Sequence, residues 1–231
     1  MKKILIITIA LLAFAGFNSC VETTTSGGQA TQVTSASKTV KMKPFVDVNV
    51  IGSMQVLYST GKSNEVRVEA MKEAFDKLVI YVKENELYIT SKDENLDSAS
   101  LIQEVKVYVS SPSLREVSLT GAGSFITTGP VSSSHLDIDL IGAGEVAFAQ
   151  RVDTKTLDVE LTGAGVVNIS DLKCPKLWTQ ITGAGTVNYD NITIDNAESI
   201  IVGSGKISMK GSVKNHMKTI TGSGVISESS L

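Results

Sequence analysis

The sequence predicts an all-β chain wound into a β-solenoid, a β-helix-like stack of ~20-residue coils with an irregular N-terminal cap. Three observations carry that prediction. A Gly-Ala-Gly or Gly-Ser-Gly triplet begins at Gly121, Gly142, Gly163, Gly183, Gly203 and Gly222, at intervals of 21, 21, 20, 20 and 19 residues. Apolar and polar residues alternate with period 2 on both sides of each triplet, the mark of strands buried on one face. Repeats this short and rich in Val, Ile, Thr and Gly leave no room for two helices each.

In chain order, the first nineteen residues read as an export signal. Lys2 and Lys3 supply the positive start and Ile4 to Ala15 a short apolar run, too short for a spanning helix. Phe17-Asn18-Ser19-Cys20 ends the segment in a way that resembles the lipobox of bacterial lipoproteins. That resemblance implies cleavage before Cys20 and lipidation there, although Phe17 and Asn18 depart from the usual Leu-small pattern. Residues 20–38, dominated by Thr, Ser, Gly and Gln, hold too little apolar material to fold and are expected to form a flexible tether. Residues 39–231 are then long enough for one domain with a sizeable core.

From Val40 to Pro112 the repeat is obscured. Phe45–Ile51 and Met54–Ser59 flank Gly52-Ser53 as two strands around a degenerate corner. A polar turn at Thr60–Asn64 precedes the alternating run Glu65–Glu69, and Lys72–Leu78 is expected to include a helical turn. Val79–Val82 and Leu87–Ser91 flank Glu84-Asn85 as a hairpin. Lys92–Ser100 is polar, an exposed loop, and Glu104–Ser110 returns to strand alternation. Together these segments are expected to form the first, irregular coils and to cap one end, since a solenoid must hide its apolar cross-section.

Aligning the later copies on the first glycine exposes the inward positions. Leu119, Leu140, Leu161, Ile181, Ile201 and Ile220 stand two residues before it; Phe125, Val146, Val167, Val187, Ile207 and Ile226 stand four after. Thr127, Phe148, Ile169, Tyr189, Met209 and Glu228 follow two further on, and Val131, Val152, Leu172, Ile192 and Val213 anchor the far side of each coil. The glycines of each triplet (Gly121 and Gly123, Gly142 and Gly144, Gly163 and Gly165, Gly183 and Gly185, Gly203 and Gly205, Gly222 and Gly224) are read as structural corners. A sharp turn there calls for φ > 0, and the small middle residue lets identical corners stack. A phosphate loop would need a following helix, and no helical pattern follows any copy.

The order of motifs is more specific than the repeat alone. Phe45-Val46-Asp47-Val48-Asn49-Val50 is followed by Gly52-Ser53-Met54-Gln55-Val56, then by the strand Leu87-Tyr88-Ile89-Thr90. Val105-Lys106-Val107-Tyr108-Val109-Ser110-Ser111-Pro112-Ser113-Leu114 leads into the serial triplets. From about Val40 to Ser229 the chain resembles the putative auto-transporter adhesin, head GIN domain family, common among lipoproteins of the Bacteroidetes. The resemblance implies an all-β, helix-like stack and a cell-envelope location, and it carries no catalytic residues.

Chemistry is scarce. The net charge is −3 with few arginines, which leaves no nucleic-acid footprint. With Cys20 acylated, Cys174 has no disulfide partner and reads as a semi-buried structural thiol. His135 and His216 fall in different coils near the far turns and are expected at the surface, in no catalytic or metal-ligand spacing. No cofactor is implied. The most chemical feature is a carboxylate ladder: Glu116, Asp137 and Asp158 share one outward column, Asp139 and Glu160 the next. Stacked like charges call for screening by water or a cation, so this is a weak candidate cation face, with a solvated acidic face as the plainer reading. Trp178 interrupts the first column, where it would stack on a ligand or pack on a neighbouring loop.

The resulting expectation is a non-catalytic, lipid-anchored protein of a bacterial outer membrane, periplasmic or surface-exposed. Its partners would be the membrane through its anchor and a glycan or an envelope or host protein, with self-association through an uncapped end near Gly222 as a further option. The alternatives are a structural envelope protein and a lyase- or hydrolase-like β-helix enzyme using the acidic pairs.

Overall fold

In the computed structural model, residues 35–92 and 105–230 are described. The expected export signal, Cys20, most of the tether and most of the polar Lys92–Ser100 segment lie outside the described residues. The rest is nearly all strand, one curled sheet that forms a solenoid of about six turns.

The chain enters through β1 (Ser35–Lys41), then β2 (Asp47–Gly52) and β3 (Gln55–Thr60), which meet at the predicted corner. β4 (Glu65–Met71), a single helical turn α1 (Lys72–Phe75), β5 (Leu78–Lys83) and β6 (Glu86–Ser91) follow. Glu84 and Asn85 both adopt φ > 0, as a tight hairpin between β5 and β6 requires. β7 (Lys106–Ser111), β8 (Glu116–Gly121) and β9 (Ser124–Thr127) lead into β10 (Val131–Gly142), β11 (Glu145–Gly163), β12 (Val166–Gly183), β13 (Thr186–Gly203), β14 (Lys206–Gly222) and β15 (Val225–Ser229).

Two parallel ladders run the length of the molecule. Ahead of the corners, β6, β2, β8, β10, β11, β12, β13 and β14 pair in that order; after them, β7, β3, β9, β11, β12, β13, β14 and β15 do so. The triplets fall in exact register, Gly142 beside Gly163, Gly163 beside Gly183 and Gly183 beside Gly203. The N-terminal cap differs in order from the sequence. β6 and β7 lie outside β2 and β3, although they follow them in the chain. β5 closes over β6, β4 over β7 and β1 over β4, all antiparallel.

The predicted inward columns form the core. Leu119, Leu140, Leu161, Ile181 and Ile201 are fully buried, as are Phe125, Val146, Val167, Val187 and Ile207. Burying each such side chain stabilises the fold by about 1.5–3 kcal/mol before entropy is counted. Two polar groups in the core are satisfied locally: Tyr189 Oη shares a 2.6 Å hydrogen bond with Thr179 Oγ1, and Tyr58 Oη one of 2.9 Å with Ser111 Oγ. At the last coil the column weakens, and Ile220 is 43% exposed.

Candidate functional site

The corners settle the role of the triplets. Gly163 has φ +121°, and a Cβ there would stand 2.4 Å from the carbonyl oxygen of Gly142 in the coil below. The second glycine is crowded by both side chain and backbone: a Cβ on Gly185 would lie 2.3 Å from Leu161 Cδ2 and 3.0 Å from Gly165 O. The backbone N–H groups of the corner are also engaged, Ala164 N–H donating to Gly142 O at 2.9 Å and Val166 N–H to Gly144 O at 3.0 Å. Those donors hold the stack together and are not free to cradle an anion.

What the corners hold in register is the outward face of the strands ahead of them. One column runs Glu86, Asp47, Glu116, Asp137, Asp158, Trp178, Glu198 and Met217; the neighbouring column includes Ser118, Asp139, Glu160 and Gln180. The strand spacing of about 4.8 Å sets successive side chains of a column that far apart. Glu116, Asp137, Asp139, Asp158, Glu160 and Trp178 line one shallow hollow of about 240 Å³. These residues stand in the two columns expected from the sequence, with Trp178 next to Asp158 in the first.

Crowding perturbs the carboxyls. Burial, and then the charges of Asp47 and Asp139, raise Glu116 above its ordinary range. Asp139 is raised by burial, then by Glu160 and Asp137. Asp137 is raised by burial against the opposing pull of His135, whose Nε2 lies 2.9 Å from Asp137 Oδ1. His135, Asp137 and Asp158 each bring a donor atom within 4.8 Å of the others, close enough for one divalent cation to meet all three.

Arg115 was not anticipated beside the ladder. Its Nε donates to Asp47 Oδ1 at 2.9 Å and its Nη2 to Oδ2, a fork that neutralises the buried carboxylate between Glu86 and Glu116. The residues are 68 apart in sequence, with no local pattern to link them.

His216 corrects the sequence reading. It was expected at the surface, but its side chain is only 5% exposed. It occupies the position paired with buried Ala197, and so points inward at the last coil. His135 is 41% exposed and does lie on the outer face, beside Thr156. Cys174 is more deeply buried than expected; its thiol donates to Lys176 O at 2.7 Å, and burial raises its pKa to about 11. A thiol so placed is structural.

Among the described residues no helix is long and apolar enough to cross a membrane. A family profile described as "Putative auto-transporter adhesin, head GIN domain" matches residues 44–229. Solved structures share the fold. A protein of Parabacteroides distasonis titled a putative lipid binding protein is 21% identical, with a TM-score of 0.67 over 85% of this chain and 96% of its own. A putative adhesin of Bacteroides fragilis is 16% identical, with a TM-score of 0.63 over 85% of this chain and 97% of its own. A second P. distasonis protein, also titled a putative adhesin, is 18% identical at a TM-score of 0.66, over 84% of this chain and 96% of its own. No curated protein sequence matches.

Proposed function

This chain belongs to the Putative auto-transporter adhesin, head GIN domain family, and on that premise we propose that it is a non-catalytic binding module of a bacterial cell envelope. In this reading the chain is exported, lipidated at Cys20 and held off an outer membrane by a tether of residues 20–38, with residues 39–231 as one solenoid domain. It binds a glycan on the face carrying Glu116, Asp137, Asp139, Asp158, Glu160 and Trp178.

The observation that carries the reading is the in-register placement of Trp178 between Asp158 and Glu198 on an outward strand face. A half-buried indole on that face offers part of a flat apolar surface to a sugar ring, and carboxylates one strand away accept hydrogen bonds from its hydroxyls. The adhesin names of the family and its neighbours agree with this role. The lipid-binding name of the P. distasonis neighbour fits less readily. The columns around Phe125, Phe148 and Tyr189 are filled by their own side chains, which leaves a lipid only the surface.

A glycan array with the unlipidated chain, run with and without calcium, tests the proposal. Retention of a glycan by the wild type and its loss in Trp178→Ala support it. Calcium-dependent retention would bring in the His135–Asp137–Asp158 group as the bridge. Shortened or unsaturated products would instead favour a glycan-active enzyme, and no retention a structural or protein-binding role.

A further inference from the structure

Near the far turn of the acidic face, two neighbouring strands set four side chains into a square. In β10, His135 and Asp137 stand two residues apart and so point the same way. In the next coil Thr156 lies beside His135, and Asp158 beside Asp137. His135 Nε2 is 2.9 Å from Asp137 Oδ1, and one donor atom each of His135, Asp137 and Asp158 lies within 4.8 Å of the other two. Elsewhere the ladder offers only oxygen; here an imidazole joins two carboxylates.

Two features of the square go beyond a surface ion pair. His135 Nδ1 hydrogen-bonds with Thr156 Oγ1, which fixes the ring with Nε2 turned toward the carboxylates. A metal-bound histidine is held in the same way, by a partner on the nitrogen that does not bind the ion. The hydroxyl both accepts and donates, so it serves Nδ1 whether Nε2 carries a proton or a metal. The second feature is Asp158. Among the described residues its carboxylate has neither a hydrogen bond nor a lysine or arginine to pair with, and Asp137 stands directly opposite it. Like charges so placed are unfavourable across paired strands, and one imidazole does not neutralise both.

The donor set selects the ion. Zinc takes histidine nitrogen and carboxylate oxygen at about 2.0–2.2 Å, so two ligands of a tetrahedral ion stand roughly 3.3 Å apart. The 2.9 Å contact is already near that separation, and the wider ones close by rotation of side chains that are partly exposed, His135 at 41% and Asp137 at 32%. Calcium calls for about six to eight oxygens, which these three residues do not supply on their own. The other histidine and the described cysteine do not compete. His216 is bonded to Glu228 and Ser199, and Cys174 is buried against Lys176 O.

We propose that His135, Asp137 and Asp158 form a zinc-type metal site, with Thr156 as the positioning residue and a fourth position for water or a ligand oxygen. Trp178 stands beside Asp158 on the next strand. The site does not rest on the glycan reading, and either can fail without the other.

The test titrates zinc by calorimetry into the folded chain, free of any histidine tag and stripped of metal with a chelator. One equivalent is expected per chain, with affinity unchanged by an equal concentration of calcium. His135→Gln and Asp158→Asn should each weaken binding by about a hundredfold, and Thr156→Val by about tenfold. Asp139→Asn, in the neighbouring column, should leave it unchanged. Circular dichroism of the metal-free variants shows that each remains folded. Copper(II) gives a local reading: one equivalent is expected to quench Trp178 emission in the wild type and not in His135→Gln. No zinc binding, binding that survives His135→Gln, displacement by equal calcium, or equal losses in Asp139→Asn and Asp158→Asn would each overturn the proposal.

Discussion

At the first glycine of each triplet two constraints coincide. Gly163 combines φ +121° with a carbonyl 2.4 Å from where a Cβ would sit. The conformation alone costs a non-glycine residue about 1–3 kcal/mol, and the clash is with backbone that cannot step aside. Gly163→Ala is therefore expected to lower the melting temperature by at least about 5 °C. The neighbouring Ala164→Ser is expected to leave it unchanged, because Ser204 and Ser223 fill the equivalent place in later coils. Paired thermal melts check this; equal melting of Gly163→Ala and wild type would remove the corner reading. The acidic columns give a second residue-level expectation. Asp139 is raised by burial and by its carboxylate neighbours, so the folded chain holds its proton more tightly than the unfolded chain. Its contribution to stability is present below the unfolded value, near pH 3.9, and is lost as pH rises through the higher folded value. Asp139→Asn is expected to raise the melting temperature at pH 7 by about 1–3 °C and to flatten the fall in stability above about pH 4. Melts across that pH range would show the opposite if the carboxylate were held by a favourable partner.

At the level of strands, burial follows the stack. Leu161 is sealed between neighbouring coils, while Ile220, at the same place in the repeat, is 43% exposed because the column stops there. Leu161→Ala should cost about 2–5 kcal/mol and Ile220→Ala under about 1 kcal/mol, measured by urea unfolding. Similar costs would mean that the end of the column is covered. This element logic was largely legible in the sequence. The triplets marked the corners, the residue two before each marked the core, and the ladder from Glu116 to Glu160 emerged with its members correctly grouped. Two features were not legible for the same physical reason. The placement of β6 and β7 outside β2 and β3, and the grip of Arg115 on Asp47, depend on which coil stacks on which, and local alternation carries no information about that. His216 is a different case. Its spacing from Gly222 gives it the inward parity of Ile220, so aligning the last copy by parity rather than by residue type would have turned it into the core.

Across the whole molecule the corners and the core make a rigid ruler, capped by antiparallel strands at one end and by the ion-paired His216, Lys218 and Glu228 at the other. Its core columns are filled by buried side chains, and the proposed function puts recognition on what the ruler displays: a carboxylate face interrupted once by Trp178. Trp178 is the only tryptophan in the chain, and it lines the same hollow as the carboxylates. Its fluorescence therefore reports on that face alone. The most direct measurement is a titration of the folded chain, followed by tryptophan emission, with a glycan retained on the array. The account predicts a saturable change in intensity or wavelength, with a midpoint matching the binding affinity. A glycan that binds with that affinity and leaves the emission of Trp178 unchanged would contradict it.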